Sequence, residues 1–579
     1  MNHKTGTHPL KFHIYQLFVR LFGNTKFKTI PNGSINENGC GKFTDLNEDA
    51  LKSIRELGMD AIWLTGIIRH ATQTDYSKDG FPASHPATVK GKAGSPYAIS
   101  DYFELDPDLA SKPAKRWTEF DECVRRIHKA GMNVIIDFVP NHTAREYSSP
   151  TAKKRLQRDL GDQDFTHETF HPNNHYYYFP DQLLELPDNR TDSKGNPYSE
   201  FPAKATGNDC FSAHPSVNDW YETIKLNYGR HYGIHQDFFY PVPATWLYMK
   251  EVLTFWAEKD VNGFRCDMVE LVPVEFWSWV IPQLKSKFPF LIFIGEVYNP
   301  NLYRTFIENG KFDFLYDKVG LYDTLCELIE GHGDANRITQ VWQGLEGIED
   351  HMLRFLENHD EQRIAGDFAG KDPFRAIPAL AISCLMHKGP VMLYAGQELG
   401  EKASGVSGFS GDDGKTTIFD YEAVPSLQSW NNDGKWNTEK LTESQIKLRM
   451  MYAQLLQFSK ESKTICDGSF YDLQYSNQSH PQYNPHRMYS FLRFRHIERI
   501  LIVCSFEEND QWIRLVIPPE AWHTLGIETQ KRCRLEDLIP SGEPIEFYVR
   551  SSFISDGGTA GILIPIKAFS YRIFRISTL

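Results

Sequence analysis

The sequence predicts an α/β protein, a closed (β/α)8 TIM barrel with an insert domain after strand 3 and a C-terminal antiparallel β-sandwich. Helices that end at glycine alternate with short apolar strands, one connection runs for about 120 residues, and closely spaced strands fill the end of the 579-residue chain. The predicted units are the barrel over 1–142 and 245–465, the insert domain over 143–244, and the β-sandwich over 470–579.

The unit of helix, glycine and strand is the main signal for the barrel. Residues 46–57 carry apolar side chains at helical spacing, Gly58 ends the helix, and the apolar strand 61–64 follows. The same unit recurs with helices at 118–130, 246–260 and 373–387 and strands at 134–137, 263–267 and 390–394. This alternation predicts parallel βαβ units.

Four further apolar segments raise the number of predicted strands to eight. A total of eight fits a closed barrel better than an open sheet, and a last barrel helix is expected at about 444–460. The four segments are Ile14–Val19, Leu291–Glu296, Phe312–Leu315 and Leu353–Glu357.

The two regions outside the barrel differ in pattern. Residues 143 to about 240 are rich in Asn, Asp, Pro and Tyr and lack long periodic runs, which predicts an inserted subdomain. Beyond residue 470 the chain alternates short strands with turns, which is typical of a β-sandwich.

Composition excludes several classes of function. A formal charge of −13 would repel nucleic acid and anionic membranes, and no stretch reaches the length of apolar residues that a membrane span needs. Nine cysteines without a CxxC pair argue against a disulfide framework and a structural zinc site. Because the N-terminus also lacks an apolar leader segment, we expect a cytoplasmic, reduced protein.

Polar side chains stand at the ends of four predicted barrel strands, where the active sites of such barrels lie. Arg265 and Asp267 are two residues apart on one strand and share a face, so the guanidinium can keep the carboxylate ionised as a nucleophile requires. A buried structural ion pair is the alternative. Glu296 follows an apolar run that would raise its pKa toward that of a proton donor.

Two carboxyls on adjacent strands are the groups that a retaining glycosidase needs, at about 5–5.5 Å separation. His142 and His359 end strands on the same rim. They suit hydrogen bonds to sugar hydroxyls better than zinc ligation, because no closely spaced ligand accompanies either one.

Four motifs closely resemble those of the α-amylase family of glycoside hydrolases, family thirteen. They occur in the family's order at strand ends 3, 4, 5 and 7, and supporting matches extend the resemblance over roughly residues 13–460. The four motifs are DFVPNH at 137–142, GFRCD at 263–267, IGEV at 294–297 and ENHD at 357–360.

The resemblance implies three catalytic residues. Asp267 would be the nucleophile that forms a β-glucosyl enzyme, and Glu296 would protonate the leaving oxygen and then activate water. Asp360 would bind sugar hydroxyls and stabilise the distorted transition state. The chemistry itself requires no cofactor.

The resemblance also implies five supporting residues. Arg265 would orient the nucleophile, Tyr97 would stack beneath the sugar, and His142 and His359 would hold that sugar. Asn141 matches a family residue that supports the insert domain, often through calcium.

Two departures weaken the case for calcium. Many α-amylases carry Lys and His where this chain has Glu270 and Leu271, and the family's short insert motif has only the stretch Thr223–Gly229 as a candidate. We therefore expect a structural calcium ion to be dispensable or absent. Glu270 either faces the sugar-acceptor side of the cleft or forms an ion pair away from substrate.

The sequence predicts a retaining hydrolase of α-1,4-linked glucans such as starch, glycogen or maltodextrin, with an oligo- or polysaccharide as its partner. A transglycosylase or a sucrose- or trehalose-active relative is the alternative. An inactive binding subunit is less favoured, because Asp267, Glu296 and Asp360 are all kept. Endo or exo action, chain-length preference and oligomeric state stay open.

Overall fold

A computed structural model describes residues 11–405, 407–528, 530–539, 544–549 and 561–579. Eight parallel strands pair in chain order from β1 to β7, and β8 pairs with β1. A parallel bridge between Arg354 and Val391 joins β7 to β8 and closes the predicted barrel. The strands are β1 His13–Phe18, β2 Ala61–Thr65, β3 Asn133–Phe138, β4 Gly263–Cys266, β5 Ile292–Gly295, β6 Phe314–Tyr316, β7 Met352–Leu353 and β8 Val391–Tyr394.

The barrel helices follow the predicted order, and the glycines end them in the expected way. Gly58 and Gly131 adopt the left-handed region, with φ of 108° and 78°, just after the first two of these helices. The helices are α1 Glu48–Glu56, α2 Arg116–Lys129, α3 Ala244–Ala257, α4 Val274–Lys287, α5 Tyr303–Glu308, α6 Asp323–Glu330, α7 Asn336–Gly344, α8 Ile377–Leu385 and α9 Glu443–Glu461.

Strands β6 and β7 differ most from their predicted positions. The apolar runs at 312–315 and 353–357 suggested longer strands, whereas β6 begins at Phe314 and β7 ends at Leu353. After Arg354 the chain leaves the sheet, yet Phe355 and Leu356 remain buried in the core. Burial without ladder pairing explains why these residues look like strand in the sequence.

Side chains from alternate strand positions fill the barrel interior. The remaining strand positions pack outward against the helices, so the barrel strands are almost entirely buried on both faces. The inward cluster includes Ile14, Trp63, Ile135, Ile294, Phe314, Tyr316 and Met392.

The segment between β3 and α3 contains three very short strand pairs and a short helix at Pro150–Leu156. His142–Ala144 pairs with Thr223–Lys225 directly beyond β3, and this pairing attaches the segment to the catalytic end of the barrel. Two smaller pairs join Tyr178–Phe179 to Ala203–Lys204 and Arg230–His231 to Gln236–Asp237.

The C-terminal region is the predicted antiparallel sandwich. A six-stranded sheet in the order β9-β10-β11-β16-β13-β14 and the pair β12-β15 share one apolar core, which contains Leu501, Ile513 and Ile564. Its strands are β9 Ser469–Asp472, β10 Met488–Arg495, β11 Glu498–Ser505, β12 Gln511–Leu515, β13 Arg532–Asp537, β14 Ile545–Tyr548, β15 Ile562–Ile566 and β16 Ser570–Thr578.

Within the described residues, the structure has neither a membrane-spanning helix nor a disulfide bond. Among them, no helix has the length and apolar character needed to cross a membrane. All nine cysteines lie within the described ranges, and each is unpaired.

Candidate active site

The buried guanidinium of Arg265 is the centre of the site. Its Nη1 lies 2.7 Å from Asp267 Oδ1 and 3.6 Å from Asp137 Oδ1, and its Nη2 lies 2.6 Å from Glu296 Oε1. Its Nε donates to the hydroxyl of Tyr316 at 3.2 Å. The predicted nucleophile and the predicted acid/base therefore both contact the same guanidinium.

Acidic groups outnumber cations at this end of the barrel. Burial, opposed by Arg265, raises the pKa of Asp267 and of Asp137 to about 6. Burial also raises the pKa of Glu296 to about 7, with the Asp267 charge adding to it. Because one guanidinium cannot balance all of these carboxylates, the cluster retains a proton near neutral pH.

Two hydrogen bonds fix the Glu296 carboxyl. The Tyr298 hydroxyl donates to Oε1 at 2.9 Å, and the Met268 backbone N–H donates to Oε2 at 2.8 Å. Met268 directly follows the predicted nucleophile, with φ of 42°. The turn after β4 thus orients the predicted acid/base, which directly follows β5.

His359 contacts two other residues of the rim that were predicted to bind sugar. Its Nδ1 accepts a hydrogen bond from Gln16 Nε2 at 2.8 Å, so Nε2 carries the ring proton and faces Asp360 Oδ2 at 3.1 Å and the Tyr97 hydroxyl at 2.5 Å. The Tyr97 ring stacks on the imidazole at 5.2 Å. Burial, with Arg265 adding to it, lowers the pKa of His359 well below its ordinary value, so the ring is a neutral donor.

Asp360 is the most open of the predicted catalytic residues. Its side chain is 37% exposed, against 9% for Asp267 and 2% for Glu296. Desolvation in the cleft and the nearby Glu296 raise the pKa of Asp360. An exposed carboxyl beside buried ones suits direct contact with sugar hydroxyls.

His142 lies at the junction between the barrel and the inserted segment. It is buried, and its ring packs at 5.4 Å against Trp220 of the insert. Burial and the nearby Lys225 charge lower the pKa of His142 to about 3, which leaves the imidazole neutral. A hydrogen bond to the Tyr97 backbone ties it to the rim that carries His359.

Asn141 supports the insert through protein groups. Its Nδ2 donates to the Gly207 carbonyl at 2.7 Å, and its Oδ1 accepts from the ammonium of Lys225. The same ammonium lies 2.6 Å from Asp209 Oδ1 and 3.2 Å from the Leu271 carbonyl.

This arrangement does not fit calcium. Calcium takes six to eight oxygen ligands in proteins. Here a lysine nitrogen already lies among the oxygens of Asn141, Asp209 and Leu271. No group of three or more His, Cys, Asp or Glu residues in the described ranges could hold a metal ion.

Glu270 has a different position from either expectation. Its Oε2 accepts from the backbone N–H groups of Tyr298 at 3.3 Å and Asn299 at 3.0 Å. The carboxylate thereby holds the segment that presents the Tyr298 hydroxyl to Glu296. Through that backbone contact Glu270 supports the segment beside the predicted acid/base.

Sequence reasoning missed several residues of the site. Gln16, Trp63 and Tyr316 point inward from β1, β2 and β6, and Trp63 Nε1 donates to Asp137 Oδ2 at 3.1 Å. Inward alternation along each strand is the signal in the sequence that could have identified these three residues. Lys225 lies within the candidate insert motif Thr223–Gly229, but its contacts come from distant segments of the chain and were not predicted.

Comparison with known proteins identifies the barrel. Residues 16–289 match the family model described as the α-amylase catalytic domain. The α-amylase MalA of Haloarcula japonica is 25% identical over 395 residues, which is 67% of this chain and 44% of that protein. α-Amylase 2 of Dictyoglomus thermophilum is 22% identical over 508 residues, which is 87% of this chain and 70% of that protein.

Solved structures agree on the fold. The maltogenic α-amylase AmyB of Thermotoga neapolitana has a TM-score of 0.60 at 20% identity and covers 98% of this chain and 99% of its own. The α-amylase of Geobacillus thermoleovorans, solved with acarbose, has a TM-score of 0.60 at 18% identity. The matched catalytic-domain model therefore assigns residues 16–289 to the α-amylase family of glycoside hydrolases, and the solved structures show a shared fold.

Proposed function

We propose that the chain is a retaining hydrolase of α-1,4-linked glucans. The observation that carries the proposal is the shared contact of Asp267 and Glu296 with the Arg265 guanidinium. One cation keeps both carboxyls close together, as the short separation in retaining glycosidases requires. Four relatives with α-amylase names and two maltases support an α-glucan substrate.

In the first step, the Asp267 carboxylate attacks the anomeric carbon of the bound sugar. A carbon–oxygen bond to Asp267 forms, the glycosidic bond breaks, and the leaving oxygen takes the proton of Glu296. The raised pKa of Glu296 supports this role, because the carboxyl still holds a proton near pH 7. Arg265 keeps Asp267 more acidic than burial alone would allow.

In the second step, ionised Glu296 takes a proton from water as the water oxygen attacks the same carbon. The bond to Asp267 breaks, and the sugar leaves with its original α configuration. In this proposal Asp360 and His359, whose Oδ2 and Nε2 atoms lie 3.1 Å apart, bind hydroxyls of this sugar. Tyr97, whose ring stacks on His359, provides the aromatic surface beneath the sugar in this proposal.

Transfer to a sugar acceptor is the second candidate, because the same glycosyl-enzyme can react with a hydroxyl in place of water. Two relatives favour keeping it: a trehalose-6-phosphate hydrolase at 23% identity and an α-1,4-glucan:maltose-1-phosphate maltosyltransferase at 26% identity. Hydrolysis remains the leading proposal, because most of the named relatives are amylases or maltases.

The test is the anomeric form and identity of the first products. Maltoheptaose, sucrose and trehalose would be incubated separately, and proton NMR would be recorded before mutarotation. We expect α-configured maltosaccharides from maltoheptaose and little reaction with the disaccharides. Products that appear first in the β form would contradict the assignment of Asp267.

We also propose that the protein works in a reducing compartment such as the cytoplasm. Nine unpaired cysteines support this, since a secreted protein of this size would be expected to oxidise some of them. Thiol titration in denaturant without reductant should find close to nine per chain. Recovery of about one thiol would indicate four disulfides and an oxidising compartment.

A further inference from the structure

Three distant segments of the chain converge on the ammonium of Lys225. Asn141 follows β3 and immediately precedes His142, Asp209 lies within the insert, and Leu271 lies in the turn after β4. The Lys225 side chain is 2% exposed, and its backbone pairs with that of His142. A single positive charge therefore lies where the insert meets the loop that follows the nucleophile.

The coordination of this ammonium is complete. A lysine ammonium has three N–H donors, and three oxygen acceptors surround it: one carboxylate, one side-chain amide and one backbone carbonyl. Asp209 balances the charge, so the buried group is a neutral pair with its remaining donors satisfied. In the wild type the ammonium nitrogen already occupies the position between these oxygens that a divalent ion would take.

We propose that Lys225 is the built-in structural cation of this active site and does the work that a bound metal would otherwise do. It connects the insert to the segments that follow β3 and β4. On one side it holds Asn141 and, next to it, His142. On the other side it holds the Leu271 carbonyl in the turn that contains Met268, whose N–H group donates to Glu296.

The proposal has a consequence for a variant that lacks the ammonium. Removing the lysine side chain leaves Asp209, Asn141 and the Leu271 carbonyl facing a space without a cation. The uncompensated carboxylate should destabilise the junction. It should also attract a small cation, because a carboxylate and two neutral oxygens are then open to one.

The experiment measures melting temperature and needs no glucan, so its outcome is separate from that of the proposed hydrolysis. Wild type, Lys225→Ala and Lys225→Ala/Asp209→Asn would be dialysed against EDTA and then melted with and without 5 mM CaCl2. The matched control is Lys90→Ala, which removes another lysine that forms an ion pair with an acidic residue of the insert, Glu222 at 3.0 Å.

We expect the wild type to melt at the same temperature under both conditions. Lys225→Ala should melt about 5 °C or more below it in EDTA and recover part of the loss with calcium. The double variant and Lys90→Ala should show no calcium response. A wild type that loses about 5 °C in EDTA and regains it with calcium would overturn the proposal, and so would a Lys225→Ala variant that melts within a degree of wild type.

A second variant covers the case in which Lys225→Ala does not fold. Asp209→Asn keeps the size of the side chain and removes the partner charge while the ammonium remains in place. It should melt a few degrees below wild type, and calcium should not restore it, because the lysine still occupies the position. Stabilisation of Asp209→Asn by calcium would contradict the proposal.

Discussion

The pKa values of buried carboxyl groups are shifted in opposite directions at the two ends of the barrel. At the amino-terminal end, Asp60 directly precedes β2. Its carboxylate accepts hydrogen bonds from Arg55 Nη1 at 2.8 Å, Lys460 Nζ at 2.6 Å and the His13 backbone N–H at 3.1 Å. Burial would raise its pKa, but Lys460 and the other donors lower it below the ordinary value. At the carboxyl-terminal end, Asp267, Glu296 and Asp137 share one guanidinium, and each has a raised pKa.

This difference separates structural acid groups from reactive ones by the ratio of donors to carboxylates. A carboxylate with an excess of donors stays ionised and strengthens the fold. Carboxyls that must share one cation keep a proton that can be transferred. In this barrel the number of donors for each carboxyl therefore distinguishes Asp60 from the predicted catalytic carboxyls.

The largest expected effect is on turnover. Asp267→Asn and Glu296→Gln should each lower kcat on maltoheptaose by at least about 10³, because both groups act in the transition state. Asp60→Asn serves as the control and should keep kcat within about threefold of wild type below its melting range. Retention of more than a tenth of wild-type activity by either catalytic variant would remove that residue from the mechanism.

The second effect is on stability as a function of pH. The folded-state pKa of Glu296 is about 7 and exceeds its ordinary value, so its contribution to stability is lost as pH rises from about 4.5 to 7. Glu296→Gln should therefore be more stable than wild type at pH 8, by about 1–3 kcal/mol, and similar at pH 4.

Asp60 should show the reverse dependence. Its folded-state pKa lies below the ordinary value, so its contribution is present above about pH 4 and is lost as pH falls further. Asp60→Asn should be less stable than wild type at pH 7 by about 1–3 kcal/mol. Urea unfolding at pH 4, 6 and 8 gives the free energy of unfolding of wild type, Glu296→Gln and Asp60→Asn. If the stability difference from wild type changed with pH in the same direction for both variants, the contrast between the two ends of the barrel would be contradicted.

A smaller effect concerns the alkaline limb of the activity profile. Tyr298 donates to Glu296 Oε1 at 2.9 Å and favours the ionised form. Tyr298→Phe should raise the pKa of Glu296 and move the alkaline limb of kcat/KM upward by about half a pH unit. A limb that stays in place would show that another group controls it.

The smallest effect is expected at Glu270. Its carboxylate accepts from the backbone N–H groups of Tyr298 and Asn299, so Glu270→Gln keeps an acceptor there and should change kcat by less than about threefold. Glu270→Ala removes the acceptor and should shift the alkaline limb in the same direction as Tyr298→Phe. A changed product pattern with an unchanged limb would instead place Glu270 in the acceptor site.

Local periodicity was sufficient for most of the barrel. Helices ending at Gly58 and Gly131 located β2 and β3 within about a residue, because the helix stop and the following apolar strand are encoded side by side. The end of β7 could not be predicted, since Phe355 is buried like a strand residue without pairing as one. Hydrophobic pattern reports burial and does not distinguish it from ladder pairing.

The charged residues of the rim were also accessible from sequence, because Arg265, Asp267 and Glu296 stand at strand ends that a barrel must bring together. The partners of Asn141 were not. Lys225 and Asp209 lie in a segment without periodicity, and their meeting depends on how that segment folds onto the barrel. Contacts between distant irregular segments leave no local trace in the sequence.

The strand pair at the base of the insert has a further consequence for protein engineering. Ala144 lies opposite Thr223, so the roughly 80 intervening residues leave and rejoin the barrel at one point. The entropic cost of closing such a loop grows only with the logarithm of its length. Loops between residues 145 and 206 can therefore change in length, whereas Gly207, Asp209 and Trp220 have to be kept because they contact Asn141, Lys225 and His142 at the edge of the barrel.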